Sequence, residues 1–195
     1  MTSGAPAISE APLGNVVIAP MRRRHLRGVV RIEQQTNHRP WSSGLFAGEL
    51  ALPQSRRYVV ALDGAVVCGF GGVMLTGHEA HVTNIAVDPV HHRRSIGTRL
   101  MTILMGACRA AGVDDVTLEV RMSNRGAQEM YRRFGFAPGG VRPKYYADVG
   151  EDALIMWAHQ LLSDGYSQRL AAIASSLEPG LRTAGLEEWV PPERA

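Results

Sequence analysis

Two cysteines are all that this 195-residue chain carries. Cys68 and Cys108 both sit inside apolar segments, which excludes a disulfide framework and predicts buried free thiols in a reducing compartment. No apolar run approaches the length that spans a bilayer, so no membrane partner is expected. A charged-then-apolar signal is missing from the N-terminus, and the expected location is cytoplasmic. Neither sign of charge dominates. The net charge is +3, a balance that suits an anionic cofactor or a ribosome-associated substrate without demanding either. No Gly-Lys-Ser/Thr closes a P-loop, and no triple-glycine fingerprint marks a dinucleotide site. The adjacent His91 and His92 have no cysteine or carboxylate cluster near them in the chain, so no metal site is expected. Repeats and low-complexity tracts are missing too.

What is present is enough for one domain, since 45% of the residues are hydrophobic. The chain is organised around Val82 to Leu104, VTNIAVDPVHHRRSIGTRLMTIL. Alternating apolar residues predict a strand that Asp88-Pro89 stops. A basic loop follows, and then Leu100, Ile103, Leu104 and Ala107 recur at helical spacing. Strand, basic loop and helix together present free N–H groups and a positive helix end, an arrangement that suits a phosphate.

Upstream, residues 1–14 read as a disordered tail rich in Ala, Pro, Ser and Gly. Asn15 to Ala19 reads as a first strand, and Arg22 to Gln35 as an amphipathic helix. Its run Arg22-Arg23-Arg24-His25 is taken as a solvated face, with no direct nucleic-acid contact expected. Ser42 or Ser43 can cap a second helix through Leu50. Arg57 to Leu62 and Val66 to Leu75 form strands joined at Asp63-Gly64, a hairpin signal. Gly69, Gly71 and Gly72 imply a bend or a close backbone approach. Glu79 to Val87 returns as the central strand.

Downstream, the helix ends near Ala111-Gly112, where glycine suits a C-cap. Asp115 to Val120 is a strand, and Ser123-Asn124 starts a short helix ending at Gly135. A strand from Phe136, a Pro/Lys/Tyr-Tyr loop and a last strand at Ala153 to Ala158 follow. This order predicts a mixed α/β fold. Ser163 to Leu177 offers Leu170, Ile173 and Leu177 at helical spacing. The expected division is a domain over 15–162 and a helical extension over 163–195. That extension reads as a docking helix dispensable for the core, and the tail through Trp189, Pro191 and Pro192 has no pattern.

Glu119 is the candidate base. It sits between Leu118 and Val120 on a buried strand, where alternation turns it to the opposite face. Desolvation there would raise its pKa. Tyr131 stands on the short helix, and by itself reads equally as a core tyrosine or an acid. Trp41 likewise reads as packing or as a substrate contact.

Asn84-Ile85-Ala86-Val87-Asp88-Pro89 with its Arg-rich loop, LEVRMSN (Leu118 to Asn124) and MYRRFGF (Met130 to Phe136) resemble the GCN5-related N-acetyltransferases. The likeness covers Val16 to Trp157 and is strongest to the RimI type, which acetylates the N-terminal alanine of a ribosomal protein. It implies a fold with splayed central strands and acetyl-CoA as co-substrate. Ile85, Ala86 and Val87 would hold the pantetheine and acetyl carbonyl by their backbone. His92, Arg93, Arg94, Ser95, Ile96, Gly97 and Thr98 would take the pyrophosphate, and Asn124 would touch the cofactor. Glu119 would be the base and Tyr131 the proton donor to the leaving thiolate. Trp41, Tyr145 and Tyr146 would flank a peptide groove, the last two on a hairpin with Glu151-Asp152-Ala153. The loop departs from the family pattern at His92 and at Ser95, which stands where a glycine is usual. A serine there pays a steric cost if φ is positive, which predicts weakened cofactor binding.

The implied activity is transfer of acetyl to a protein α-amine. An α-amine (pKa ~7.8) loses its proton more easily than a lysine amine (~10.4), by about 3.5 kcal/mol, so one modest base suffices. The rival readings are an acetyltransferase for a small-molecule amine and a non-catalytic acyl-CoA or partner-binding module.

Overall fold

A computed structural model describes residues 16–147 and 149–187 of the chain. The expected tail over 1–14 and the stretch holding Trp189, Pro191 and Pro192 lie outside the described residues. Alternating apolar residues build seven strands: β1 (Val16–Pro20), β2 (Arg56–Asp63), β3 (Val66–Thr76), β4 (Glu79–Val87), β5 (Asp115–Arg121), β6 (Ala137–Tyr146) and β7 (Glu151–Ala158). They join one mixed sheet in the order β1-β2-β3-β4-β5-β7-β6, with β4 and β5 parallel. The helices are α1 (Leu26–Thr36), α2 (Ser43–Leu50), α3 (Ile96–Ala110), α4 (Arg125–Arg133) and α5 (Asp164–Ser175). Most elements start and stop within one or two residues of the sequence expectation, the ordinary scatter of element ends. The larger shifts are at α1, where Arg23–His25 forms a 3₁₀ turn before the helix proper, and at β6 and β7.

Side-chain caps explain three helix starts. Ser42, Asn124 and Ser163 each accept an N–H from the first turn of α2, α4 and α5. Alternation along the strands then separates two cores. Val59 and Ala61 of β2 face α3, α4 and α5, while Tyr58 and Val60 face α1 and α2. The smaller core is aromatic, with Phe46 edge-on to Phe70 at 5.5 Å.

Two local features open the sheet. β4 pairs with β5 only at Glu79–His81 against Asp115–Thr117, and beyond that the strands part. On its other side β4 pairs Val82 with Val73 and Asn84 with Gly72, leaving Thr83 as the extra residue of a bulge. Thr83 donates to the Gly72 carbonyl at 3.2 Å and shares a hydrogen bond of 2.9 Å with the Tyr58 hydroxyl. Only glycine fits at 72, because a Cβ there would lie 2.1 Å from the Tyr58 ring. This is the close approach expected of the glycine-rich strand.

Two expectations are corrected. The Pro143-Lys144-Tyr145-Tyr146 stretch is no loop but the end of β6. It is irregular, with Lys144 at φ 52° and a register break between Arg142 and Tyr146, which is why its composition reads as a turn. The second correction concerns the C-terminal segment, which is not a separable docking helix. Tyr166, Ile173 and Leu186 belong to the main core, and the Tyr166 hydroxyl donates to the Phe134 carbonyl at 2.9 Å. Beyond α5 the chain runs back beside β1, where Ile18 N–H meets Arg182 O (2.9 Å) and Ala184 N–H meets Ile18 O (3.0 Å). Arg99, inside α3 and only 2% exposed, donates to the carbonyls of Gly180 and Glu178. Apolar burial and these hydrogen bonds make the segment part of the domain.

Candidate active site

Where β4 and β5 part, a cavity of about 470 Å³ opens. Ile85, Ala86 and Val87 form its β4 wall and Leu118 to Arg121 its β5 wall. His92, Asn124, Tyr131 and Tyr146 complete much of the rest, and Glu33 and Asn37 close it from the end of α1. Eight of the residues singled out from sequence therefore meet in one place: Ile85, Ala86, Val87, His92, Glu119, Asn124, Tyr131 and Tyr146.

Arg93 to Thr98 do not line this cavity but form the loop and first turn of α3 that follow it. The first backbone bond of α3 runs from Arg99 N–H to Ser95 O at 3.0 Å. Ile96, Gly97 and Thr98 thus have N–H groups that the helix cannot satisfy. Arg93 (φ 64°) and Ser95 (φ 53°) are both left-handed, which aims successive N–H groups at one point. Arg94 is drawn aside toward Asp63 at 3.4 Å, while the exposed His92 ring contacts Val87 O at 3.0 Å. Gly97 serves packing, since a Cβ there would sit 3.2 Å from Met130 Sδ of α4. A pyrophosphate at these N–H groups and an acyl arm along residues 85–87 fit this chain.

Glu119 is turned away from the buried Leu118 and Val120, as alternation requires. Its environment is the opposite of the one expected. One oxygen lies 2.5 Å from His81 Nε2 and the other 3.0 Å from Arg142. The His81 hydrogen bond is the largest influence and, helped by the charges of His81 and Arg142, outweighs desolvation. The carboxyl is therefore held below its ordinary value instead of above it. Glu119 also borders a second cavity of about 440 Å³ with His81, Arg142, Tyr145 and Trp157, so it stands between two openings.

Tyr131 is 5% exposed and burial pushes its phenol well above the ordinary range. It stays a neutral O–H donor, and its hydroxyl has no hydrogen-bond partner among the described residues. Asn124 spends its side-chain oxygen on the Ala127 N–H at 3.1 Å, capping α4, so only its amide nitrogen is left for a cofactor. Tyr146 is covered by the Arg121 guanidinium at 3.9 Å. Trp41 and Tyr145 do not join this cavity. The Trp41 ring packs on Phe46 at 5.4 Å, and Tyr145 faces the second cavity. The two tyrosine rings stay in edge-to-face contact, 5.2 Å between centroids, yet line different cavities.

Sequence reasoning passed over His81, Arg142 and Glu33. His81 reaches Glu119 only through the parallel pairing of β4 with β5, which brings residues 38 apart into contact. The available signal was that Glu79, His81 and Thr83 alternate as polar residues with Ala80 and Val82 along the strand. Among the described residues no cluster of three or more metal-ligating side chains occurs, and no helix is long and apolar enough to cross a membrane.

Comparison with known proteins matches this geometry. Residues 26–136 fit the family model described as Acetyltransferase (GNAT) family. A Bacillus subtilis protein named putative [ribosomal protein bS18]-alanine N-acetyltransferase is 36% identical over 137 residues, 70% of this chain and 91% of its own length. The N-alpha-acetyltransferase RimI of Mycobacterium tuberculosis is 36% identical over 147 residues, 72% of this chain and 90% of its own. Among solved structures, the Escherichia coli ribosomal-protein-S18-alanine N-acetyltransferase superposes with a TM-score of 0.68 at 30% identity, covering 74% of this chain and 94% of that one. The parted central strands, the free N–H groups at α3 and these likenesses agree that the chain belongs to the acetyltransferase (GNAT) family, as a RimI-like, acetyl-CoA-dependent N-acetyltransferase.

Proposed function

We propose that the protein acetylates the N-terminal α-amine of a protein, with an N-terminal alanine of a ribosomal protein such as bS18 as acceptor. The likeness to enzymes named for that reaction, covering 70% and 74% of this chain, carries the reading.

The acetyl group is supplied as a thioester, and the amine attacks its carbonyl directly without an enzyme nucleophile. Residues 85–87 hold the acyl arm by their backbone, and a main-chain N–H polarises the carbonyl. His92 to Thr98 hold the pyrophosphate, with Asn124 contributing its amide nitrogen. Glu119, ionised by its contacts with His81 and Arg142, cannot strip a free α-ammonium easily. From pKa ~7.8 to a carboxyl below 4.5 the transfer is uphill by about 4 kcal/mol or more. Its task is to accept the proton once the attacking nitrogen has become cationic and far more acidic. From there the proton leaves to water through the second opening, which Glu119 and His81 both border. Tyr131 donates its O–H to the departing thiolate, and Tyr146 flanks the acceptor.

The test is incubation with acetyl-CoA and a panel of N-terminal peptides, with mass spectrometry to locate the acetyl group. Acetylation at the α-nitrogen of alanyl peptides is expected. Turnover of small amines alone, or of no amine, would overturn the reading.

A further inference from the structure

Glu33 is a carboxylate of the cavity that the chemistry above leaves unused. It is 2% exposed at the end of α1, which packs on β3 and β4, and it lines the same cavity as Glu119. Both of its hydrogen bonds converge on a single oxygen. Oε1 accepts from Asn37 Nδ2 at 2.9 Å and from the Trp41 backbone N–H at 3.2 Å. Oε2 accepts no hydrogen bond from the described residues and lies open to the cavity. Among the described residues no arginine, lysine or histidine forms an ion pair with the group, and burial pushes its carboxyl upward. The two carboxylates of the cavity thus differ in kind: Glu119 has two basic partners and Glu33 has none. A second acceptor without a donor stands in the same cavity, the buried Oδ1 of Asn84.

A carboxylate on a buried residue with no cationic partner is costly unless a ligand completes it. The ligand must be a donor and preferably a cation, and an acceptor peptide arrives with its α-ammonium in front. Resting on the peptide reading above, we propose that Glu33 Oε2 receives the N-terminal ammonium of the acceptor and so selects substrates that enter with a charged α-amine. The Trp41 N–H and Asn37 fix the orientation of the carboxylate. This gives Trp41 a part in the site through its backbone, although its ring lies outside. The contact favours capture over attack, since it stabilises the protonated amine, and its effect belongs in KM more than in kcat.

The test compares wild type with Glu33→Gln, which keeps an oxygen for Asn37 and Trp41 and removes the charge. The KM for an alanyl peptide should rise roughly ten- to a hundred-fold, the weight of a charge-assisted hydrogen bond. The KM for acetyl-CoA and the melting temperature should not fall. On the CoA-loaded enzyme, calorimetry with that peptide and its N-propionyl analogue, which lacks the ammonium, isolates the contact. Wild type should prefer the ammonium by at least about tenfold, and Glu33→Gln should bind both alike. Glu33→Asp, which retracts the charge by one methylene, should fall between and guards against a folding defect in the glutamine variant. Equal binding of the two peptides by wild type, or a preference that survives Glu33→Gln, overturns the proposal. If wild type acetylates spermidine and no peptide, the peptide reading fails, and the same KM comparison on spermidine decides the role of Glu33.

Discussion

Glu119 has a basic partner on each oxygen, and the consequence is a carboxylate that is a willing acceptor but a weak base. Because it titrates below 4.5, the acidic limb of kcat/KM above pH ~5 tracks the acceptor amine. Exchanging an alanyl peptide for one with a different amine pKa should move that limb by the same amount. Glu119→Gln should lower turnover by about 10²–10⁴-fold while leaving acetyl-CoA binding intact by calorimetry. Near-wild-type rates would leave the proton to water. The same depressed pKa stabilises the fold. Its contribution is complete above 4.5 and is lost as pH falls through the folded value, so melting curves of wild type and Glu119→Gln should converge in acid. Ser95 makes a separate case. Its φ of 53° is the positive angle that a glycine would adopt without strain. Ser95→Gly should relieve about 1 kcal/mol and tighten acetyl-CoA binding at unchanged turnover, whereas equal or weaker binding would mean that the hydroxyl itself serves the phosphate.

Among the elements, β4 decides whether there is a site at all. Its bulge at Thr83 depends on Tyr58, and Tyr58 depends on the missing side chain at Gly72. Gly72→Ala should cost about 1–3 kcal/mol of stability, read by denaturant unfolding, and lower turnover with it. A variant as stable and active as wild type would mean that the ring can move without closing the cavity. Little of this was legible in the sequence. Periodicity, caps and turn residues announce β2, β3, α3 and α4 because each signal lies within a few residues of its effect. A bulge is a property of two strands in register, and the His81–Glu119 contact belongs to a pairing across a helix. Likewise LEV fixes the side of the sheet that Glu119 faces, but the sign of its pKa shift came from residues on β4 and β6. Which tyrosine of Tyr145-Tyr146 enters the cavity is also not legible, because the irregular end of β6 keeps the two rings in contact at 5.2 Å.

For the whole molecule, the segment after Leu162 is what sequence reasoning misjudged most. Residues 178–187 have no periodicity, so their return beside β1 and the burial of Leu186 could not be read locally. The one signal was Arg99, a charge on the buried stripe of α3 between Ile96 and Ile103. Truncation after Leu162 removes Tyr166, Ile173, Leu177 and Leu186 from the interior, together worth about 6–12 kcal/mol, as much as a domain's entire stability. The truncated chain should lose its cooperative melt and its acetylation of peptide. Retention of both would restore the docking-helix view. The returning chain also has a bearing on how these molecules behave when crowded. An outermost strand with free backbone groups is a template on which a neighbour can add its own strand, and so on into an aggregate. Here the outer side of β1 is taken by the bridge from Thr183 to Ile18, and β6 at the far side is interrupted by Pro138, Pro143 and two breaks in register. Both margins of the sheet are spoiled as templates, so this enzyme can stand at high concentration without its sheets joining.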